Sequence, residues 1–591
     1  MTRLAQVVFA VLVAATLAGF FVTQRLKSAP RLVQTLSVSK LYSPNFPFRQ
    51  AGIRIRLKRT DEVSVSLLDA NGDVVRHLVR GRHLQTGEPL QLLWNGRDDD
   101  GRVVPDGPYR IRVGLRREGR SVTLIDEIVV DSTPPRPVVQ VEGAREGQGP
   151  LIFPLPGNRP VRFRVLNARP NGAPIFRVYR TDLPRPRMVV RLPAAAGATT
   201  GEWRAPSTGP RRPPAGTYAI VAQVRDAAGN LGSSYPFGPR PPKDDPPARP
   251  GVTVRYLAGQ GPLQPVRAGG VATVFVDARK TPYRWRLHRL GQTRTLAQGL
   301  ANRPLLRIPV PRGPSGVLLL ELHGRSRAAR VPIPVTGPTH ARVLLVLPLI
   351  TWQGRNPVDD DGDGLPNTLD RGGPVRLARP FAGRGEPPGF GRHESPLLRL
   401  LDRPRVDYDL TTDYALALSG QRALNRYRGV VLAGDTRWLD PSLGLRMGRY
   451  VEGGGKLFSL GTESLRREVR VRDGRLERPT GRSAYDVFGA QVDPIERKPI
   501  DLLAGDDAIG LFQGGDGAFS GFAASERTRD PGKGARVVSV AQDPAGRRVI
   551  VAVRLGKGLV IRTGLPEFEQ RLADANVAAL TRRAWEILGG R

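Results

Sequence analysis

The chain contains no cysteine and only three methionines among its 591 residues. The missing thiols exclude disulfide staples, thiolate zinc sites and a cysteine nucleophile. Every module must therefore stand on its own hydrophobic core. Aromatic residues are sparse, at 6%, and lysine is scarce beside arginine. The net charge of +37 is spread through all parts of the chain. A charge of that sign attracts polyanions such as acidic wall polymers. No Lys/Arg block occurs, and no basic stripe interleaved with aromatics, so nucleic acid is not an expected partner. The six histidines show no H-E-x-x-H or paired spacing, which excludes the usual catalytic zinc motif.

Long apolar runs are also few. Leu4 to Val22 is one, broken only by Gln6 and Thr16, with Arg3 before it and Arg25 and Lys27 after. It is near the ~20 residues that a spanning helix needs, so residues 1–24 are expected to be a single-pass membrane anchor. The rival is a signal peptide, with Thr16-Leu17-Ala18 as a poor cleavage site and a secreted product. Flanking charge slightly favours a cytoplasmic body. The calcium-type loop and surface-type modules described below favour an extracytoplasmic one, and they decide the expectation.

A chain of this length should hold several domains. After a short polar connection over 24–45, alternating apolar and polar residues predict a β-sandwich over 46–135. A second sandwich follows over 140–237, then a Pro-rich linker over 238–251 that reads as stiff and extended. A third spans 252–336, where Tyr283 and Trp285 alternate with arginine. From Arg342 the pattern changes. ARVLLVLPLI is continuously apolar, as in a parallel strand buried on both faces. Asp440 and Pro441 open a helix whose Leu443, Met447, Tyr450 and Val451 share one side. Residues 465–547 read as an extra β layer, and a last helix from about Asp574 to Leu588 places Val577, Leu580, Ala584 and Ile587 inward. The expected fold is therefore multidomain: an N-terminal transmembrane helix, tandem Ig-like β-sandwiches, and an α/β doubly wound domain over 340–591.

At the start of that last domain lies VDDDGDGLPNTLD, Val358 to Asp370, with five aspartates in thirteen residues. Asp359, Asp361 and Asp363 occupy positions 1, 3 and 5 of a calcium-type loop, 359–370. Gly364 permits the turn, Leu365 can offer its carbonyl, and Asp370 closes at position 12. The expectation is a structural Ca2+ held by Asp359, Asp361, Asp363, Leu365 and Asp370. The alternative is a solvated acidic loop.

Two stretches resemble known families. LLWNGRDDDGRVVPDGPYRIRV, carrying Trp94, Asn95, Gly96, Asp100, Gly101, Pro105, Gly107 and Tyr109, resembles the Ig-like module of the flagellar hook-capping family. GGGKLFSLG and GKGLVIRTGLPEF, with their flanking helices, resemble the C-terminal domain of the N,N-dimethylformamidase large-subunit family, which implies a class I glutamine amidotransferase-like fold over 340–591. Amidotransferases place a nucleophilic Cys after the strand that corresponds to Lys456–Leu460; here the turn reads Gly461-Thr462-Glu463-Ser464. Dimethylformamidases hold iron with Tyr and Glu. Their Thr-Tyr motif is Thr351-Trp352 here, and the would-be Glu ligand aligns with Arg437, which cannot coordinate a metal. Tyr408 aligns with another family Tyr.

The expected function is that of a membrane-anchored surface protein whose α/β domain has lost the family chemistry. It would bind an acidic cell-wall polymer or another surface protein. The alternative is an extracytoplasmic hydrolase of amide or glycosidic bonds, with Asp435 and Glu463 as weak catalytic candidates at the carboxyl edge of the sheet. Asp440, at the same edge, reads more simply as a helix cap, and Glu463 as part of a satisfied polar turn.

Overall fold

The computed structural model describes residues 2–27, 32–45, 49–144, 149–242, 245–324, 327–338, 340–402 and 406–590; in the first helix, side chains are described over 6–20. The molecule is mostly β-sheet, with three sandwiches followed by a nine-stranded sheet carrying helices. Thr2–Lys27 is an α-helix. Among the described residues no helix is long and apolar enough to cross a membrane, so the anchor expected over 1–24 is not supported. Leu4 and Val22, at the ends of the apolar run, have side chains outside the described residues.

The first sandwich begins earlier than the sequence suggests. Val33–Val38 pairs with Ala51–Leu57, and Leu41–Tyr42 with Arg120–Val130. Residues 24–45 are thus not merely a connection: Val33 and Tyr42 bury with Trp94 in the core. Trp94 meets Tyr109 edge-on at 5.2 Å, and the Tyr109 hydroxyl donates to Pro105 O at 2.8 Å. The second sandwich repeats the device, with Tyr218 donating to Pro214 O at 2.7 Å.

The Pro-rich stretch does not hold the second and third sandwiches apart. Arg249 N donates to Val139 O, and Val141 N to Arg249 O, both at 2.9 Å. Gly251–Val254, expected to open the third sandwich, instead lies between Leu151–Phe153 and Gly216–Arg225 in the second. All four of its residues are buried, and that burial is why the boundary moves past 251.

The third sandwich and the C-terminal sheet share a core. Leu290, Val317 and Leu319 of the sandwich pack in the same cluster as Val343, Leu345 and Leu347. Arg289 holds Asp402 with two bonds, 2.8 and 2.9 Å, and Thr336 Oγ1 donates to Leu410 O at 2.8 Å.

In the nine-stranded sheet the order is Asp409–Thr412, Val343–Leu347, Gly429–Leu432, Lys456–Ser459 and Gly558–Arg562, all parallel. Arg548–Leu555, Ala535–Gln542, Ile500–Asp507 and Ala518–Phe522 extend it in antiparallel fashion. The domain expected to be doubly wound thus has five parallel strands extended by four antiparallel ones, three of them from the region 465–547 read as an extra β layer; such hairpin strands need no helical crossover. Helix Pro441–Glu452 buries Leu443, Met447, Tyr450 and Val451 against one face. Helix Ala575–Gly589 buries Val577, Leu580, Ala584 and Leu588 against the other, with Leu588 rather than Ile587 innermost. Each buried Val, Leu or Met among these stabilises the fold by about 1.5–3 kcal/mol. With both faces covered, the carboxyl ends of the parallel strands are the edge from which side chains can reach a ligand.

Candidate functional site

Three turns converge at that edge. Val343–Leu347 leads into the short helix Leu349–Gly354, Gly429–Leu432 into Gly434–Arg437, and Lys456–Ser459 into Gly461–Ser464. Thr351 Oγ1 accepts from Arg437 N at 3.0 Å, tying the first turn to the second. Arg437 then spans the two candidate acids: its Nη2 lies 2.9 Å from Glu463 Oε2 and its Nε 3.7 Å from Asp435 Oδ2. Arg355 approaches Asp435 at 3.7 Å, and Arg482 approaches Glu463 at 3.0 Å. Burial by itself raises the Glu463 carboxyl, but Arg437, Arg467 and Arg482 outweigh it and hold the group below the usual carboxylate range. Glu463 also sits at φ 53, a conformation costly for a residue with a side chain. An ionised acid clamped by guanidinium groups is a poor proton donor. Asp435 and Glu463 are brought together, but as partners of arginine.

A second acidic group lies beside the first. Glu394 and Glu569 are both 2% exposed. Glu394 Oε1 accepts from Trp352 Nε1 at 3.1 Å, while its Oε2 is buried without a partner. Glu569 Oε1 accepts from Gly434 N at 2.8 Å, and His393 Nδ1 lies 3.4 Å from Glu569 Oε2. Burial and the neighbouring Glu569 push the Glu394 carboxyl up to about 8. The hydrogen bond to Glu569 raises the His393 imidazole. Gly434, at φ +62, makes the arrangement feasible: a Cβ there would come within 1.9 Å of Glu394 Oε1. Sequence reasoning missed Glu394 and Glu569, which lie 42 and 135 residues from the groups they bond.

The aspartate loop folds back on itself and onto the second sandwich. One ligand atom each from Asp359, Asp361 and Asp363 lies within 4.8 Å of the others. Asp359 Oδ1 accepts from Gly362 N at 2.7 Å and its Oδ2 from Gly364 N at 2.9 Å. Burial, then the neighbouring Asp363 and Asp361, drive the Asp359 carboxyl well up. Three convergent carboxylates, one of them buried, are a donor set suited to a hard cation. Asp370 is not among them. It belongs to the turn Leu369–Arg371 and pairs with Arg467 at 2.7 Å, because the chain leaves the loop in a helical turn that carries this side chain outward. Leu365 N donates to Asp363 Oδ1 at 2.8 Å. Gly364 O accepts from Thr181 Oγ1 at 2.6 Å, and Gly362 O from Gly251 N at 2.9 Å. Asp363 is also bound by Tyr235 at 2.9 Å and Arg240 at 3.2 Å.

Residues 303–494 match the family described as N,N-dimethylformamidase beta subunit-like, C-terminal. Residues 49–119 match the FlgD Ig-like domain. No curated protein matches. Among solved structures, the chain is similar to a β-galactosidase from Rahnella sp. R3, at 14% identity and TM-score 0.24, covering 32% of this chain and 26% of that one. It is similar to a Ca2+-stabilized adhesin of an Antarctic bacterium at 10% identity and TM-score 0.20, covering 58% and 80%. The chain spans about a quarter of the length of that β-galactosidase, and at such scores neither likeness bears on activity.

The dimethylformamidase-like match begins inside the third sandwich and runs through the sheet edge and the aspartate loop, in keeping with the core those parts share. Within it, Trp352 occupies the place of the expected Tyr and bonds Glu394. Tyr408 is not at the edge; its hydroxyl donates to Asp402 at 3.2 Å.

Proposed function

We propose that this chain is an extracytoplasmic multidomain protein whose dimethylformamidase-like region uses a glutamine amidotransferase-like scaffold for binding, without the iron amidase chemistry. Arg437 carries the reading. At the strand end where the resemblance calls for a carboxylate ligand, a guanidinium lies 2.9 Å from Glu463 and 3.7 Å from Asp435; it repels a cation and consumes the nearest acids. Metal analysis of the purified chain, with an assay for dimethylamine released from dimethylformamide, tests it. Expected are substoichiometric iron and no release. Stoichiometric iron with turnover would overturn the reading.

The same proposal assigns a structural Ca2+ to Asp359, Asp361 and Asp363, where it would neutralise carboxylates that otherwise repel one another. The exposed apolar side chains of Val7, Phe9, Leu12 and Phe20 on the first helix support contact with a membrane or with export machinery, and hence a body outside the cytoplasm. The acidic polymer or surface protein expected as partner fits the net charge of +37.

One observation favours a hydrolase as the second reading: His393, Glu569 and Glu394 form a buried acid-base group at the edge where catalytic residues gather. Hydrolysis of an amide or glycoside panel that disappears in Glu569→Gln, with the melting temperature retained, would establish it; no turnover by the native chain would dismiss it.

A further inference from the structure

The second and third sandwiches and the loop after Arg379 meet around a cleft of about 280 Å³. Its wall is made by Tyr256, just past Gly251–Val254, by Arg327 and Arg330 of the third sandwich, and by Arg384 of the loop. Tyr256 is fixed, since its hydroxyl donates to Pro213 O at 2.8 Å. Two guanidinium groups share its ring: Arg212 Cζ is 5.2 Å from the centroid and Arg327 Cζ 5.3 Å. Arg330 is offset by Glu321 and Glu386, each at 3.6 Å. Arg327 has no such relief among the described residues, and its Nε is buried without a hydrogen-bond partner. Arg384 is exposed at the rim. Its carbonyl accepts from Arg330 N at 2.7 Å, which pins the loop to the strand Ala328–Thr336.

Building a fold this way is unfavourable unless something else enters. Arg212 and Arg327, both against the Tyr256 ring, repel each other, and a buried guanidinium nitrogen without an acceptor has lost its hydration. Burial, with Arg212 adding to it, pushes the Arg327 guanidinium down, and only the Tyr256 and Tyr218 hydroxyls oppose that. An oxyanion in the cleft offsets this: it supplies negative charge between Arg327 and Arg384, and a pair of oxygens for the bidentate geometry that guanidinium recognises.

We propose that this cleft is a binding site for an oxyanion, phosphate or carboxylate, carried on an acidic glycan, with Arg327 and Arg384 as its principal contacts and Tyr256 as its floor. The proposal rests on the binding role given above and names the ligand class and place for it. The volume suits a single charged sugar unit, and the open rim at Arg384 lets a longer polymer continue past it.

Calorimetric titration of the full chain with inorganic phosphate, and separately with a galacturonic acid trimer, tests the site and distinguishes the two sources of anion. Expected is one site per chain for at least one probe, weakened tenfold or more by Arg327→Gln and by Arg384→Gln. Arg80→Gln, on the exposed first sandwich, should change affinity less than twofold. Arg327→Gln should also melt no lower than the native chain, since it removes a repulsion; a purely structural arginine would lower the melting temperature. Should Arg327→Gln fail to fold, Arg384→Gln at the exposed rim still decides. Silence with both probes, or affinities indifferent to both substitutions, overturns the site. Binding indifferent to the substitutions leaves a binding role for the chain intact, whereas stoichiometric iron with dimethylamine release removes that role itself.

Discussion

Asp413 opens a short helix, Asp413–Ala417, directly beneath the sheet edge. Its Oδ1 accepts from Ile350 N at 3.0 Å and from Tyr414 N at 2.7 Å, while its Oδ2 is buried without a partner. Burial lifts this carboxyl to about 7, against about 3.9 in an unfolded chain. Between those values the folded state holds a proton that the unfolded state has released. Stability therefore falls as pH rises from about 4 to about 7, by up to about 4 kcal/mol, and levels off above. Asp413→Asn mimics the protonated form and keeps the Oδ1 bonds. It should match the native chain near pH 4 and melt higher at pH 8; parallel melting profiles across that range would refute this. Gly434 is a second residue-scale test. Gly434→Ala should cost about 2–4 kcal/mol in denaturant titrations, from the positive φ and the collision with Glu394. Gly373, with open space around it, should tolerate Ala within about 0.5 kcal/mol. At this scale substitutions were legible and partnerships were not. Arg437 in a ligand position can be read from the string, since no environment lets guanidinium coordinate a metal. That Glu394 would meet Trp352, or Asp370 turn away to Arg467, depends on chain segments packing together from far apart.

Local structure was most legible where one residue's chemistry acts over a turn. Asp440 and Pro441 mark a helix start, and Asp440 Oδ1 does accept from Ser442 N at 3.0 Å. Its Oδ2 accepts in addition from Val471 N at 3.1 Å, a long-range contact that helix rules do not foresee. Asp440→Ala should lower unfolding free energy by about 1–2 kcal/mol, measured by urea denaturation; a change under about 0.3 kcal/mol would mean that the cap is replaced by water. Ser395 reads equally well as a cap, yet the helix is Glu394–Asp402 and places Ser395 inside it, buried. The helix thus starts two residues earlier than a Ser395 cap would place it, with Glu394 buried and bonded to Trp352. The Pro-rich stretch misled for a different reason. Proline prevents a strand only where a backbone N–H is needed, and Arg249, lying between Ala248 and Pro250, supplies the N–H that pairs with Val139.

The boundary between the third sandwich and the nine-stranded sheet is a boundary of sequence pattern rather than of packing, because Leu290, Val317 and Leu319 complete the core under Val343–Leu347. Periodicity reports which face of an element is buried, not which neighbour buries it, so this fusion could not be read from the string. The second sandwich joins the same body through the aspartate loop. If a divalent ion sits among Asp359, Asp361 and Asp363, millimolar Ca2+ should raise the melting temperature relative to EDTA, and Asp361→Ala should abolish the rise. In EDTA, trypsin should cut more readily after Arg371, exposed in the turn that follows the loop. Identical digestion with and without the ion would separate the loop from any such role.

The loop's grip on Thr181 and Gly251 also closes a ring in the connectivity of the molecule. The second sandwich is tied to the dimethylformamidase-like region along the covalent route from Val254 to Val343 and again through the hydrogen bonds to Gly362 and Gly364. Under tension between its two ends, the protein would share the load over both routes. Thr181, Gly251 and the aspartates would bear it first, and the hidden length from Val254 to Val343 would be held in reserve until that latch gave way.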